Sequence, residues 1–467
     1  MTPSDLTRVY YQIENEIESY RNELNKLSVP NYPSETCREL IIDLFEKLKG
    51  YEETLSKIME DANDQDEKIV EQSLQKLITK IHIPLVREDT KFLNWLYKAQ
   101  TKNVPWSFVH CVERLFQQIV PNQKLLIYCE NQYNYGICWS KSETIAPYPY
   151  YVLSFPRLHK TNVLWHAVVG HEIFHPRCSE FINRHNQNVL TNITGEVTKN
   201  YEKFATTGAS ENSFTKKRDR IDSMTNVTHT AWCRATEELL SDMACVEIFG
   251  PAAILAMKAF SACSPKNDRP DPDNHFYPSW QYRFEIVWDN FIEDKLCKLD
   301  HVYSEIKNND IVRCFKEDML EIKCLVEKKE GEDLVKKHPL AKIAYQEVQN
   351  LILDAVDFVK DNTQDVLKWH DEKTLSQIPK LVGRLENGIP PNESVAEINE
   401  QEGIYNTHPA AIPAILISGW MYETYWQEKF NADEADERVM TYKTLSRLIL
   451  KACEDIETIK KSQQCQS

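Results

Sequence analysis

His171, Glu172 and His175 form the pattern H-E-x-x-H inside the stretch VLWHAVVGHEIFHPR, Val163 to Arg177. Two imidazoles four residues apart lie one above the other on a helix and can grip a single metal ion. Glu172, about 100° further round, can reach a water held by that metal and act as its general base. A catalytic zinc site needs three protein ligands and one open position. The missing ligand is expected downstream, in AWCRATEELLSDMACVEIF, where Glu238 and Asp242 stand in the spacing E-x-x-x-D. Glu238 is the expected third ligand, because a helix-borne carboxylate can reach across to a facing helix. Glu237 competes with it but projects toward the polar side of its helix. Asp242, one turn on, is placed to accept the outer N–H of a ligating histidine and fix its tautomer. The set predicts one Zn2+ per chain and a bound water whose pKa falls to about 7.

These residues need rigid elements to hold them. Thr161 or Asn162 can cap a helix that starts at Val163. Val163, Leu164, Trp165, Ala167, Val168, Val169, Ile173 and Phe174 make it apolar nearly all round, so it is expected to be buried. Its histidines and glutamate then need partners, and a metal is one. A second long helix is predicted from Thr230 to Phe249, ended by Gly250-Pro251, with an apolar stripe of Trp232, Ala235, Leu239, Met243 and Val246. Upstream, three β-like runs cover 124–129, 135–139 and 150–155. Pro149 and Pro156 frame the last, with Pro147 just before it, which predicts an edge strand. Such a strand could take an extended peptide by strand addition, or be part of a plain hairpin. Residues 178–229 are polar and read as an inserted loop with some helix, either a lid over the site or a solvated insertion.

HEIFH followed by EELLSD resembles the gluzincin branch of zinc metallopeptidases, over about Tyr150 to Pro251. The resemblance implies His171, His175 and Glu238 as zinc ligands, Glu172 as catalytic base and Asp242 behind the histidines. The chain as a whole resembles uncharacterised bacterial metallopeptidase-like proteins. Gluzincins usually add a His, Tyr or Arg that stabilises the oxyanion. His408 is the first candidate for that role here, with His275, Tyr277 and Arg283 as the others. His166 lies on another face and is expected to be a core histidine. The sequence departs from the family in two places. Pro176 directly follows His175, where proline should end or kink the helix. Arg177 beside it stands where the family has an apolar residue, and the second departure is the long gap from His175 to Glu238.

The expected fold is mainly α with a small β-sheet: a zincin-like core between helical N- and C-terminal regions. The boundaries are a helical hairpin or bundle over 1–104, a metallopeptidase core over 105–290 with the insertion 178–229, and a helical region over 291–467. The N-terminal hairpin pairs a helix over 1–29 with a second one capped by Ser34. It can serve as an arm for a protein partner or a second copy of the chain, or as an ordinary packed layer, which is the commoner use. From 279 onward the chain reads as amphipathic helix, at 279–308, 311–328, 339–362, 364–386, 409–429 and 434–462.

Composition narrows the functions. The chain has 467 residues and a formal net charge of -16. That charge repels phosphate backbones and anionic lipid, so neither nucleic acid nor a membrane is an expected partner. The 13 cysteines are scattered without C-x-x-C, which argues for small core residues in a reducing compartment. The N-terminus has no basic segment followed by an apolar one, and no apolar run is long enough to span a bilayer. The expected location is cytoplasmic. The leading function is a zinc-dependent peptidase acting on a peptide or protein substrate. The alternative is a helical interaction protein with a structural or inactive metal site. A third is an effector protease with one cellular target.

Overall fold

The computed structural model describes residues 3–61, 67–131, 135–140, 150–204, 214–263, 276–328, 338–399, 404–429 and 435–466. It is mostly helical, with one three-stranded and one two-stranded sheet. Two compact units emerge: Met1–Glu113 with Asn122–Lys160, and Arg114–Pro121 with Thr161–Ser467. This division differs from the expected boundaries at 104 and 290.

The first unit begins with α1 (Pro3–Ser28) and α2 (Glu35–Asp61). Leu6, Ile13, Ile17, Tyr20, Leu24 and Leu27 recur at spacings of three, four or seven on α1, and all are buried. Ser34 caps α2 as expected, its Oγ accepting from the Thr36 N–H at 3.1 Å. After α3 (Glu67–Leu77) the helix widens into two π-helical segments, Ile78–His82 and Pro84–Asp89, before α4 (Thr90–Lys98). Pro84 supplies no N–H, which favours such a bulge. Asp89 is buried and paired with Lys47 at 2.7 Å and the Tyr51 hydroxyl at 3.0 Å.

The boundary between the units falls inside α5 (Trp106–Ile119). The three expected strands form: β1 (Lys124–Glu130), β2 (Gly136–Ser140) and β3 (Tyr150–Pro156). Their order is β1-β3-β2, with β3 parallel to β1 and antiparallel to β2. The edge-strand expectation is therefore wrong. Both sides of β3 are paired, so β3 itself has no free ladder for a peptide. Pro147 and Pro149 lie outside the described residues. The sheet belongs to the first unit and the H-E-x-x-H segment to the second, so a single core over 105–290 is not what the division gives.

In the second unit, a 3-10 turn (Trp165–Val168) leads into α6 (Val169–Glu172), followed by α7 (His175–Phe204) and α8 (Phe214–Phe249). The inserted-loop expectation for 178–229 is corrected: its described part is helix, and 205–213 lie outside the described residues. Val189, Ile193, Val197 and Tyr201 recur every four residues on α7 and are buried. From Leu239 to Phe249 every residue of α8 is buried, as befits a helix surrounded by others. Then come α9 (Pro251–Cys263), α10 (Trp280–Val287), α11 (Leu299–Glu305) and α12 (Asn309–Glu327). Helices Pro339–Asn350, Ile352–Asn362, Glu372–Leu375, Ile378–Glu386, Ile412–Lys429 and Ala435–Gln466 complete the helical part. Between the fourth and fifth of these lies an unexpected hairpin, β4 (Glu393–Asn399) and β5 (Ile404–Pro409). No helix among the described residues is long and apolar enough to cross a membrane.

Candidate metal centre

The H-E-x-x-H segment does not lie on one regular helix. The Ile173 N–H bonds the Val169 carbonyl at 3.0 Å, closing an α turn. The Phe174 N–H then bonds His171 O at 3.2 Å, three residues back. A new helix, α7, starts at His175 and runs for 30 residues. Pro176 explains the break: its ring would clash with the carbonyl of Glu172 in a continuous helix. In the first turn of α7 its missing N–H costs nothing. The interruption therefore falls before His175, and the helix runs on past Pro176. The expected end or kink is present and falls at Ile173 and Phe174. Arg177 finds a partner of its own, donating to the Ile119 carbonyl at 2.7 Å.

Gly170 sets the approach of α6 to α8. A Cβ on it would stand 2.9 Å from Phe249 Cε2 and 3.3 Å from Cys245 Sγ. The Cys245 thiol donates to the Ala167 carbonyl at 3.2 Å, and Cys178 Sγ meets Ser241 Oγ at 3.4 Å. These contacts tie the motif to α8 on both sides of the break.

The side chains converge. His175 Nε2 lies 3.1 Å from His171 Nε2, and Glu238 Oε2 lies 3.4 Å from His171 Nε2. Ligand atoms about 2.0–2.2 Å from a tetrahedral zinc stand roughly 3.3–3.6 Å apart. Among the described residues, His171, Glu172 and His175 form the cluster whose ligand atoms all lie within 4.8 Å of one another, and Glu238 stands outside it. Glu238 approaches it from α8 through His171. Each imidazole has its Nδ1 held by a carboxylate. Asp242 Oδ1 takes His171 Nδ1 at 2.8 Å, and Glu237 Oε1 takes His175 Nδ1 at 3.1 Å. Both Nε2 atoms are thus left facing the common point, the arrangement metal-ligating histidines adopt. The donor set of two imidazole nitrogens and carboxylate oxygens suits zinc.

Arg283, on α10, closes the far side. Its Nε and Nη2 donate to Asp242 Oδ2 and Oδ1 at 2.6 and 2.7 Å. Its Nη1 donates to Tyr277 Oη at 3.2 Å and stands 3.4 Å from Glu238 Oε2. Four carboxylates therefore surround the histidines with one guanidinium among them, an arrangement that calls for further positive charge. Burial works to lower the pKa of His171, but Asp242 and Glu238 overcome it and hold the imidazole up at about 10. Burial raises the pKa of Glu238, yet His171 and Arg283 carry it well below the ordinary carboxylate range. Asp242 is held down in the same way, against its burial, by Arg283 and then His171. Burial pushes the Tyr277 phenol well up, so it stays a donor.

His171, Glu172, His175, Glu238 and Asp242 thus come together, with Tyr277 and Arg283 beside them. His275 lies outside the described residues. His408 sits on β5 opposite Val395, and its side chain is outside what the structure describes. His166 is buried, in keeping with a core role. Two partnerships were not expected: Glu237 with His175, and the two-pronged grip of Arg283 on Asp242. The first had a signal in the spacing, since Glu237 precedes Glu238 on the same helix. The second links residues 41 apart, with no local pattern to reveal it. Comparison with protein-family models, with curated proteins and with solved structures gives no match.

Proposed function

We propose that the protein is a zinc-dependent peptidase of gluzincin type, hydrolysing a peptide bond in a peptide or protein substrate. The observation that carries this reading is the cluster of His171, Glu172 and His175, with ligand atoms all within 4.8 Å of one another, with Glu238 Oε2 3.4 Å from His171 Nε2 and carboxylates behind both imidazoles. His171, His175 and Glu238 would hold one Zn2+, which when bound supplies Lewis acidity and lowers the pKa of water. Glu172, 9% exposed beside the two histidines, takes a proton from the attacking water and passes it to the leaving amine. Asp242, fixed by Arg283, keeps the His171 proton on Nδ1 and its Nε2 free. Tyr277 and Arg283 stand as donors on the α10 side, where charge developing on the scissile carbonyl could be met.

The proximity of Glu172 to both histidines also favours a second reading, in which Glu172 is itself a ligand and the metal is structural in a helical interaction protein. Glu172→Gln separates the two. As general base, its loss should leave zinc content unchanged and abolish cleavage of a peptide library. As ligand, its loss should release zinc. Cleavage that survives Glu172→Gln would remove Glu172 from the mechanism.

A further inference from the structure

We propose that Glu237 is a positioning residue for the metal centre: by accepting the proton on His175 Nδ1 it holds that imidazole in the tautomer whose Nε2 faces His171. The inference rests on the zinc reading above and assigns a role to a residue that the E-x-x-x-D spacing leaves out.

Three observations support it. His175 opens α7 directly after the break at Ile173 and Phe174, so the helix before it does not fix its side chain. A ring in that position needs an external hold to choose between its two tautomers. Glu237 Oε1 is 3.1 Å from His175 Nδ1, while His175 Nε2 is 3.1 Å from His171 Nε2. The Glu237 backbone is itself tied to the first turn of α7, its carbonyl accepting from Cys178 Sγ at 3.5 Å.

The two histidines are held unequally. Asp242 is fully buried and clamped by Arg283, so His171 has a rigid partner. The Glu237 side chain is 44% exposed, so the hold on His175 is open to water. Glu237 then sets how firmly His175 retains the metal. Outer partners of ligating histidines typically change metal affinity by roughly 10- to 100-fold when removed.

The test uses the full chain and two variants, Glu237→Ala and Glu237→Gln. Exposure at this position makes a folding failure unexpected, and circular dichroism checks it. The first readout needs no metal. Nitrogen-15 spectra of the histidines, recorded over a pH series, report which ring nitrogen carries the proton in the neutral form. His175 should carry it on Nδ1 in the wild type and in Glu237→Gln, whose amide oxygen still accepts, and lose that preference in Glu237→Ala. The second readout is competition for zinc with a chromophoric chelator. Glu237→Ala should bind roughly 10- to 100-fold more weakly, and Glu237→Gln within about threefold of wild type. An unchanged tautomer in Glu237→Ala overturns the proposal. So does a Glu237→Gln that weakens as far as Glu237→Ala, since charge rather than position would then be at work. A wild type that holds no zinc would refute the zinc reading, and the tautomer measurement would still decide for or against Glu237.

Discussion

Replacing Asp242 with asparagine should be among the most damaging conservative changes in the chain. Asp242 is fully buried and faces three donors: His171 Nδ1 at 2.8 Å and Arg283 Nε and Nη2 at 2.6 and 2.7 Å. Asparagine keeps the shape but loses the charge and turns one oxygen into an amide that opposes a donor. Arg283, 4% exposed, would be left with Glu238 at 3.4 Å as its remaining carboxylate. Removing one partner of a buried ion pair costs about 3–5 kcal/mol, because the other charge stays buried and uncompensated. At about 1.36 kcal/mol per factor of ten, that lowers the folded-to-unfolded ratio by more than roughly a hundredfold. It is more than half of the stability of a protein near the lower end of the usual range, about 5–15 kcal/mol. Urea unfolding of metal-free protein measures the loss as a shift in midpoint at unchanged slope. The same argument predicts relief. Asp242→Asn with Arg283→Met should be more stable than Asp242→Asn alone, with a coupling of about 0.5–3 kcal/mol. A cost below about 1 kcal/mol for Asp242→Asn, or strict additivity of the two changes, would refute the reasoning.

Two further outcomes follow from the same unit. Glu247 is 2% exposed, with Lys295, Lys368 and His370 around its carboxylate. Burial alone would raise its pKa, but His370 and Lys295 hold it at about 2, below the ordinary 4.5. The unfolded chain then binds more protons than the folded one, so this stability is full above pH 4.5 and is lost as pH falls toward 2. Glu247→Gln should flatten that part of a stability-against-pH curve, and a curve of unchanged slope would contradict the assignment. Gly170→Ala would place a Cβ 2.9 Å from Phe249 Cε2, so the ring must shift. The expected cost is about 1–3 kcal/mol, read as a lowered melting temperature. An unchanged melting temperature would mean that α6 and α8 are not held as closely as the contact implies.

Much of the candidate site is legible in the sequence, for a definite physical reason. Helical spacing puts Glu238 near Asp242, the four-residue spacing of His171 and His175 still brings their imidazoles together across the break, and the apolar neighbours of each set announce burial. What periodicity cannot give is the partner of a polar group across space. Arg283 looked like one of several candidate donors, yet it grips Asp242 with two nitrogens. Glu237 looked solvent-facing, and its side chain is 44% exposed, but its carboxylate reaches back to His175. The helix α7 was hidden by polar composition, although Val189, Ile193, Val197 and Tyr201 mark its buried stripe. Local rules also misplaced the effect of Pro176, which breaks the helix ahead of His175 and then sits harmlessly in the next first turn. Flanking prolines suggested an edge for β3, whereas strand order is a tertiary property and places it in the middle.

The central question is whether His171, His175 and Glu238 bind zinc. Elemental analysis of protein purified without added chelator tests this most directly. About one zinc per chain is expected, falling to near zero in His171→Ala and His175→Ala with helical content unchanged. Metal-free wild-type protein that keeps its fold, or zinc retained after both histidines are removed, would contradict it.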